Sequence, residues 1–160
     1  MILSVTDFND ALPHFNAALM LGLVYNHQPV VVLHNYTTKY LFLKLKLPVE
    51  NDIVIDVTVS YHHVYRCPVL SFRVYRCDVP LTSMDDLLAL ERPMTTSVPL
   101  VLESHHLLHQ LWWCLHPCET LAYMDQFPIT TGLEYLFAWW STYGLQAVFP
   151  QLVLKHSHTQ

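Results

Sequence analysis

The stretch IVIDVTVSYHHVYRCPVLSFRVYRC, Ile53 to Cys77, contains two runs in which every second residue is apolar. Alternate side chains of a β-strand point to opposite faces of its sheet, so each run predicts a strand with one apolar face. The residues on these faces are Ile53, Ile55, Val57, Val59 and Tyr61 in the first run, and Leu70, Phe72 and Val74 in the second. The stretch therefore predicts two consecutive antiparallel strands with the core on one side.

The segment before this pair predicts a hairpin. Two apolar runs, VVVLH (Val30 to His34) and YLFLKLKL (Tyr40 to Leu47), flank the polar turn NYTTK. In the second run Lys44 and Lys46 would point to water, and the residues facing the core would be Leu41, Leu43, Leu45 and Leu47. Together the four runs predict an antiparallel meander.

Helical patterns lie on both sides of the meander. In TDFNDALPHFNAALMLGLVYN the steps of three and four that mark one helical face join Phe8, Leu12, Phe15, Leu19 and Leu23. Pro13 fits this helix only near its first turn or on an exposed side. In TTGLEYLFAWWSTYG we expect a helix capped by Thr130 or Thr131 and ended near Gly144.

Two shorter segments lie between the meander and the last helix. SMDDLLALE offers Ser83 as the cap of a short helix, with acidic residues in its first turn. SVPLVLE predicts a further short strand or an irregular segment. The order of elements predicts an α+β fold, with a four-stranded antiparallel meander flanked by N- and C-terminal helices in a single domain over residues 1–160.

Composition excludes several classes of function. A formal net charge of -5 argues against a nucleic-acid binder, and 3 glycines in the chain argue against glycine-rich phosphate loops. The start, MILSVTDFND, has no basic region, so we expect no secretory signal and a cytoplasmic protein with reduced cysteines. The uncharged span Tyr135 to Leu154 is long enough to cross a bilayer, but its polar residues favour a core helix followed by a turn, without stable membrane insertion.

The stretch LHPCET, Leu115 to Thr120, places Cys118 where the strand-like run LWWC meets a helical pattern. One interpretation is a small buried hydrophobic residue, the most common fate of a free cysteine. Another is a nucleophile, because a helix N-terminus stabilises a thiolate. A hydrolase with His116 as base is a third hypothesis, although Cys118 has no peptidase signature around it. We expect Cys118 to be solvent-reachable, and Cys67, Cys77 and Cys114 to be structural.

A zinc-binding interaction module is a further alternative for this region. Its possible ligands are His105, His106, His109, Cys114, His116 and Cys118. Cys114 and Cys118 do not form the close C-x-x-C pair of most structural sites, and a second distant pair is missing from the sequence. The sequence therefore favours no metal site.

Three segments resemble the autophagy-related ubiquitin-like conjugating enzymes. LESHHLLHQLWWCLHPCETLAYM (Leu102 to Met124) is similar to their active-site segment, YHHVYRCPVLSFRVYRCD (Tyr61 to Asp78) to their paired central strands, and YLFAWWSTYGLQAVFP (Tyr135 to Pro150) to their closing helix. Ordinary ubiquitin-conjugating enzymes have His-Pro-Asn with the cysteine several residues later. Here Cys118 occupies the asparagine position and no cysteine follows, which is characteristic of the autophagy branch.

The resemblance implies a ubiquitin-conjugating-enzyme-like fold and a Cys118 thioester formed without metal or organic cofactor. It also implies three partners: the activating enzyme autophagy-related protein seven, the modifier autophagy-related protein twelve, and a lysine of the target autophagy-related protein five. The lipid-directed sibling enzyme is the alternative within the family, but it is much longer and carries a charged insertion that this chain does not have.

The resemblance leaves the oxyanion donor open, because the asparagine that serves ordinary conjugating enzymes is missing. The candidates for oxyanion stabilisation or lysine positioning are His116, Tyr61 and Thr120. For two of them a structural role is the alternative: His116 would shape the turn with Pro117, and Tyr61 would be a packed aromatic residue.

Overall fold

The computed structural model describes residues 1–37, 42–50, 52–90 and 99–155. Its helices are α1 (Val5–Gly22), α2 (Met84–Leu88), α3 (Thr120–Met124) and α4 (Gly132–Tyr143). Its strands are β1 (Leu23–Tyr25), β2 (Gln28–Pro29), β3 (His34–Thr37), β4 (Phe42–Glu50), β5 (Ile53–His62), β6 (Cys67–Arg76), β7 (Val79–Pro80), β8 (Leu100–Ser104), β9 (Leu111–Leu115) and β10 (Leu152–Leu154). The predicted α+β class is confirmed.

The main sheet is antiparallel, with the strand order β3-β4-β5-β6-β9-β8 and with β7 paired to one end of β6. The predicted meander is present as β3 to β6, and every residue predicted to face the core from β5 and β6 is buried. The main sheet nevertheless has more strands than the four predicted. The run LWWC forms β9 and pairs with β6 through Ser71–Cys114 and Phe72–Trp113, and β8 then pairs with β9.

The predicted hairpin is displaced along the chain. Strand β3 begins at His34 and lies largely in the predicted turn, whereas residues 30–33 form no strand. The Val30 N–H donates to the Leu23 carbonyl at 2.9 Å and the Leu33 N–H to the Lys46 carbonyl at 3.0 Å, so this segment crosses from one sheet to the other. Residues 38–41, in the predicted turn and second run, and residues 97–98 of SVPLVLE lie outside the described residues.

The face of the main sheet opposite the core is only partly open to water. Lys44 and Lys46 lie on it as predicted, but both are half-buried. The Lys46 ammonium lies 3.9 Å from a carboxylate oxygen of the buried Asp56. Thr58 and Ser60 of β5 are also buried on this face. Part of this face is covered by His105, whose Nε2 lies 2.8 Å from the Thr58 hydroxyl, and strand alternation alone does not predict such a cover.

A second, small antiparallel sheet has the strand order β10-β1-β2. It pairs Leu23 with Leu154, so Leu23 begins a strand and does not belong to the helix in which its spacing placed it. The span Tyr135 to Leu154 is not one helix: α4 ends at Tyr143, and a 3₁₀ turn leads to β10. Among the helices of the described ranges, none combines the length and the hydropathy that a bilayer crossing requires.

Helices α1 and α4 pack together against the core face of the main sheet. Each begins with a capping box, formed by Ser4 with Asp7 and by Thr131 with Glu134, which satisfies backbone N–H groups of the first turn. Pro13 lies inside α1, away from the first turn, but on its exposed side. One hydrophobic cluster takes residues from both termini and both sheets. The single domain over 1–160 stays a prediction, which this cluster supports.

Candidate active site

Cys118 lies in a tight turn between the main sheet and α3. Strand β9 ends at Leu115, a 3₁₀ turn spans Pro117–Glu119, and α3 follows. The His116 N–H donates to the Pro99 carbonyl at 2.9 Å, and the His116 Nδ1 accepts the Cys118 N–H at 3.2 Å. Pro117 occupies the first position of the turn, where a missing N–H costs nothing. The sequence HPC therefore fixes this turn, and it leaves Cys118 exposed.

The four cysteines are all free, but they differ in exposure. Cys67 and Cys114 are buried, and burial raises the pKa of each thiol to about 12. A buried neutral thiol is a poor nucleophile, so these two fit the predicted structural role. Cys77 does not: it is exposed in the turn after β6, at a positive φ of 48°. The expectation that it is structural like the other two was wrong, because turn residues reach solvent.

Thr120 and Tyr61, two of the predicted donors, have other partners. Thr120 is buried and its hydroxyl hydrogen-bonds the Cys67 thiol. Tyr61 is buried on the core face of β5, where its hydroxyl donates to the Leu3 carbonyl at 2.8 Å. Burial also raises the pKa of Tyr61. Of the three candidates, His116 is the one hydrogen-bonded to Cys118 itself, and the catalytic roles of all three stay predictions.

Tyr65 is a neighbour of the turn that sequence reasoning missed. Its ring lies edge-on to His116 with centroids 5.6 Å apart, and it also contacts the His62 ring, with centroids 4.9 Å apart. Its backbone N–H donates to the His62 Nδ1 at 3.4 Å. Tyr65 belongs to the turn between β5 and β6. The repeated Tyr in YHHVY was the available signal, but only the tertiary fold brings that turn to His116.

Four of the possible zinc ligands, His105, His106, Cys114 and His116, line one cavity, but their donor atoms are not grouped to hold a metal ion. His105 uses both ring nitrogens: Nε2 lies 2.8 Å from the Thr58 hydroxyl, and Nδ1 accepts two backbone N–H groups at 3.1 Å. The Cys114 thiol donates to the Leu115 carbonyl, and His109 is exposed. Within the described ranges no three His, Cys, Asp or Glu side chains are grouped to hold a metal ion. The donor set therefore does not fit a zinc site.

Comparison with known proteins identifies the family to which the segment around the exposed Cys118 belongs. The family model described as "Autophagocytosis associated protein, active-site domain" matches residues 31–152, which include the whole turn and the main sheet. The chain belongs to this family. The autophagy conjugating-enzyme resemblance predicted from the three segments is thereby confirmed.

Relatives of this autophagy enzyme support the assignment along nearly its whole length. It is 31% identical to the "Ubiquitin-like-conjugating enzyme ATG10" of Candida albicans, over 92% of this chain and 89% of that protein. It is 25% identical to the protein of the same name from Pichia angusta, over 61% of this chain and 75% of that one. The chain is a ubiquitin-like protein conjugating enzyme of autophagy, and it is similar to autophagy-related protein ten as the sequence indicated.

Solved structures support the fold of this autophagy enzyme. The solution structures of KmAtg10 match with a TM-score of 0.63 at 16% identity, over 92% of this chain and 99% of that one. The crystal structure of the autophagic E2 Atg10 matches with a TM-score of 0.56 at 16% identity, over 91% and 96%. The predicted ubiquitin-conjugating-enzyme-like fold is confirmed by these matches.

Proposed function

We propose that this enzyme accepts autophagy-related protein twelve as a thioester on Cys118 and transfers it to a lysine of autophagy-related protein five, in the cytoplasm. The donor would be the activating enzyme autophagy-related protein seven. The observation that carries this proposal is the exposed Cys118 in a turn held by His116, within the segment that the active-site family covers. Support for this branch of the family comes from relatives that carry the name ATG10.

The proposed reaction consists of two acyl transfers through one sulfur. First the Cys118 thiolate attacks the carbonyl carbon of the modifier's C-terminal thioester; a new C–S bond forms and the activating enzyme's thiol leaves. A neutral lysine amine of the target then attacks the Cys118 thioester. An amide bond forms, the Cys118 thiolate leaves, and the amine loses a proton. Sulfur serves as nucleophile and as leaving group, so the proposal needs no metal or organic cofactor.

Each transfer creates an oxyanion that needs hydrogen-bond donors, which contribute about 3 kcal/mol each when preorganised. The Cys118 N–H donates to the His116 Nδ1 and is therefore not free for this purpose. Because Nδ1 accepts, the neutral His116 ring carries its proton on Nε2. His116 thus has two proposed roles: it shapes the turn through Nδ1, and it offers an N–H through Nε2. Tyr61 and Thr120 would have to leave their present partners to act as donors.

A pair of His116 variants separates these two roles. His116→Ala is expected to slow transfer from preloaded enzyme to the target on the order of a hundredfold, because the turn is misplaced and the Nε2 donor is lost. Loading of Cys118 should persist. His116→Asn keeps an acceptor near the Nδ1 position but has no donor near Nε2. The rate of single-turnover transfer from the preloaded enzyme is measured for both variants. A rate that recovers in His116→Asn shows that His116 acts by shaping the turn. Equal rate losses in the two variants show that it acts as the Nε2 donor.

Reconstitution with defined acceptors tests the proposed target class. Enzyme preloaded with autophagy-related protein twelve should modify autophagy-related protein five on a lysine and leave phosphatidylethanolamine vesicles unmodified. Free lysine at the same concentration is the control for unassisted aminolysis. Modified lipid with unmodified protein five would favour the lipid-directed sibling. Release of a shortened modifier with no conjugate would favour the hydrolase.

A further inference from the structure

Four histidines form a continuous array of rings that ends at the active-site turn. His105 stacks on His106 at 5.2 Å between centroids, and His106 lies 4.9 Å from His62. Tyr65 bridges His62 to His116, which caps the turn. The four rings, His62, His105, His106 and His116, are named the imidazole array here. They lie at the end of β5, directly after β8 and directly after β9, and they line one cavity of about 190 Å³.

The hydrogen bonds of the array require neutral rings. The Nδ1 atoms of His62, His105 and His116 all accept backbone N–H groups, which a protonated Nδ1 cannot do. The backbone of Tyr61 hydrogen-bonds the His106 ring, and this bond alone favours the protonated ring, but burial outweighs it. The His106 Nε2 is buried and has no hydrogen-bond partner among the described residues. A proton added at any of these positions either breaks a bond or places a charge where nothing accepts it.

The charges around the array oppose protonation. Burial is the first cause that lowers the pKa of His62, His105 and His106, and His105 falls to about 4. Neighbouring imidazoles act in the same direction, as do the cations near His105; these groups are His63, His109, Arg73 and Lys44. Glu103 is the carboxylate that favours the charged forms of His62 and His106. It does not outweigh burial, since both pKa values remain lowered.

We propose that the imidazole array holds the active-site turn in its observed conformation while the rings are neutral, and that it releases the turn when the rings take up protons. This pH-dependent contact is called the latch, and its neutral form is the closed form. The signal reaches Cys118 through ring contacts from His106 to His62, Tyr65 and His116. At the last ring, displacement of His116 by its charged neighbours removes the acceptor of the Cys118 N–H. Because the closed array disfavours a proton on each of His62, His105 and His106, release takes up more than one proton.

The direction of the pH effect follows from the lowered pKa values. In the unfolded chain a histidine has a pKa of about 6.5. In the closed array His62, His105 and His106 bind fewer protons than they do in the unfolded chain once the pH falls below that value. The array's contribution to stability is therefore fully present above about pH 6.5 and is lost as the pH falls. For His105 the loss continues down to about pH 4.

Amide hydrogen exchange at Cys118 in the full chain tests the latch without any partner. After correction for the intrinsic pH dependence of exchange, protection of the Cys118 N–H should fall at least about tenfold between pH 7 and pH 5. In His62→Asn/His106→Asn the loss should stay within about twofold, because asparagine keeps a hydrogen-bonding atom near the Nδ1 position and does not titrate. The matched control is His27→Asn/His34→Asn, two exposed histidines outside the array, which should behave as wild type.

The latch is refuted if wild-type protection is constant over this range, or if the array variant loses as much protection as wild type. Titration of the imidazole resonances in wild-type protein provides the second measurement and does not depend on the variant's folding. His62 and His106 are expected to titrate below the value of an unfolded histidine, with profiles coupled to each other. Ordinary, independent titration near the unfolded value would also overturn the proposal.

Discussion

Cys118→Ala is expected to abolish the covalent adduct with the modifier and to leave the fold intact. The substitution removes the only proposed nucleophile, so adduct formation should fall below detection. Because Cys118 is exposed, the lost sulfur leaves no buried cavity, and the free energy of unfolding should change by less than about 0.5 kcal/mol. The adduct is read on a denaturing gel after incubation with activating enzyme, ATP and modifier, and stability by urea unfolding.

Cys77→Ala is the matched control for this experiment. Cys77 is the second exposed cysteine among the described residues, and it lies in a turn at the far end of β6 from the active-site segment. Its replacement should leave adduct formation unchanged. An adduct that persists in Cys118→Ala, or that disappears in Cys77→Ala, contradicts the assignment of the nucleophile.

Phe15→Ala is expected to have the largest effect on stability, a loss of about 3–5 kcal/mol. Phe15 is fully buried on α1, and its ring meets Phe137 edge-on at 5.5 Å and Trp140 at 5.6 Å. Alanine would leave a cavity between α1 and α4 and remove both aromatic contacts. A domain of this size is stable by about 5–15 kcal/mol, so the variant would be only marginally folded.

Denaturant unfolding with an exposed control on the same helix measures this effect. Leu21 is 90% exposed near the end of α1, so Leu21→Ala should change the unfolding free energy by less than about 0.5 kcal/mol. Equal midpoints for Phe15→Ala and wild type would show that the contact between α1 and α4 does not hold the helices on the sheet.

The central strands and the last helix could be predicted because their signals are local. Apolar alternation runs from Ile53 to Tyr61 in β5 and from Leu70 to Val74 in β6, and Thr131 with Glu134 marks the start of α4 directly. The run VVVLH misled for a physical reason. Its β-branched residues favour a strand, yet Val31 is 67% and Leu33 55% exposed, and the backbone there bonds to two different sheets. Periodicity does not report which distant strand a segment will pair with.

The candidate site was likewise predictable where its contacts are local and not where they join distant segments. The turn around Cys118 follows from three adjacent residues, His116, Pro117 and Cys118, and was predictable. The orientation of Tyr61 toward the core also followed from alternation, but the partner of its hydroxyl is the carbonyl of Leu3, which is 58 residues away. The contact of Tyr65 with His116 joins two turns in the same way. Such long-range contacts depend on the register of β5, β6 and β9, which local patterns do not determine.

The most direct test of the central claim is the intact mass of the chain after incubation with autophagy-related proteins seven and twelve and ATP, before and after reductant. Wild type should gain the mass of one modifier and lose it with reductant, because thiols cleave a thioester. Cys118→Ser should gain the same mass and keep it, because an oxyester resists thiols. A wild-type adduct that survives reductant, or no mass gain at all, would contradict a Cys118 thioester as the enzyme's intermediate.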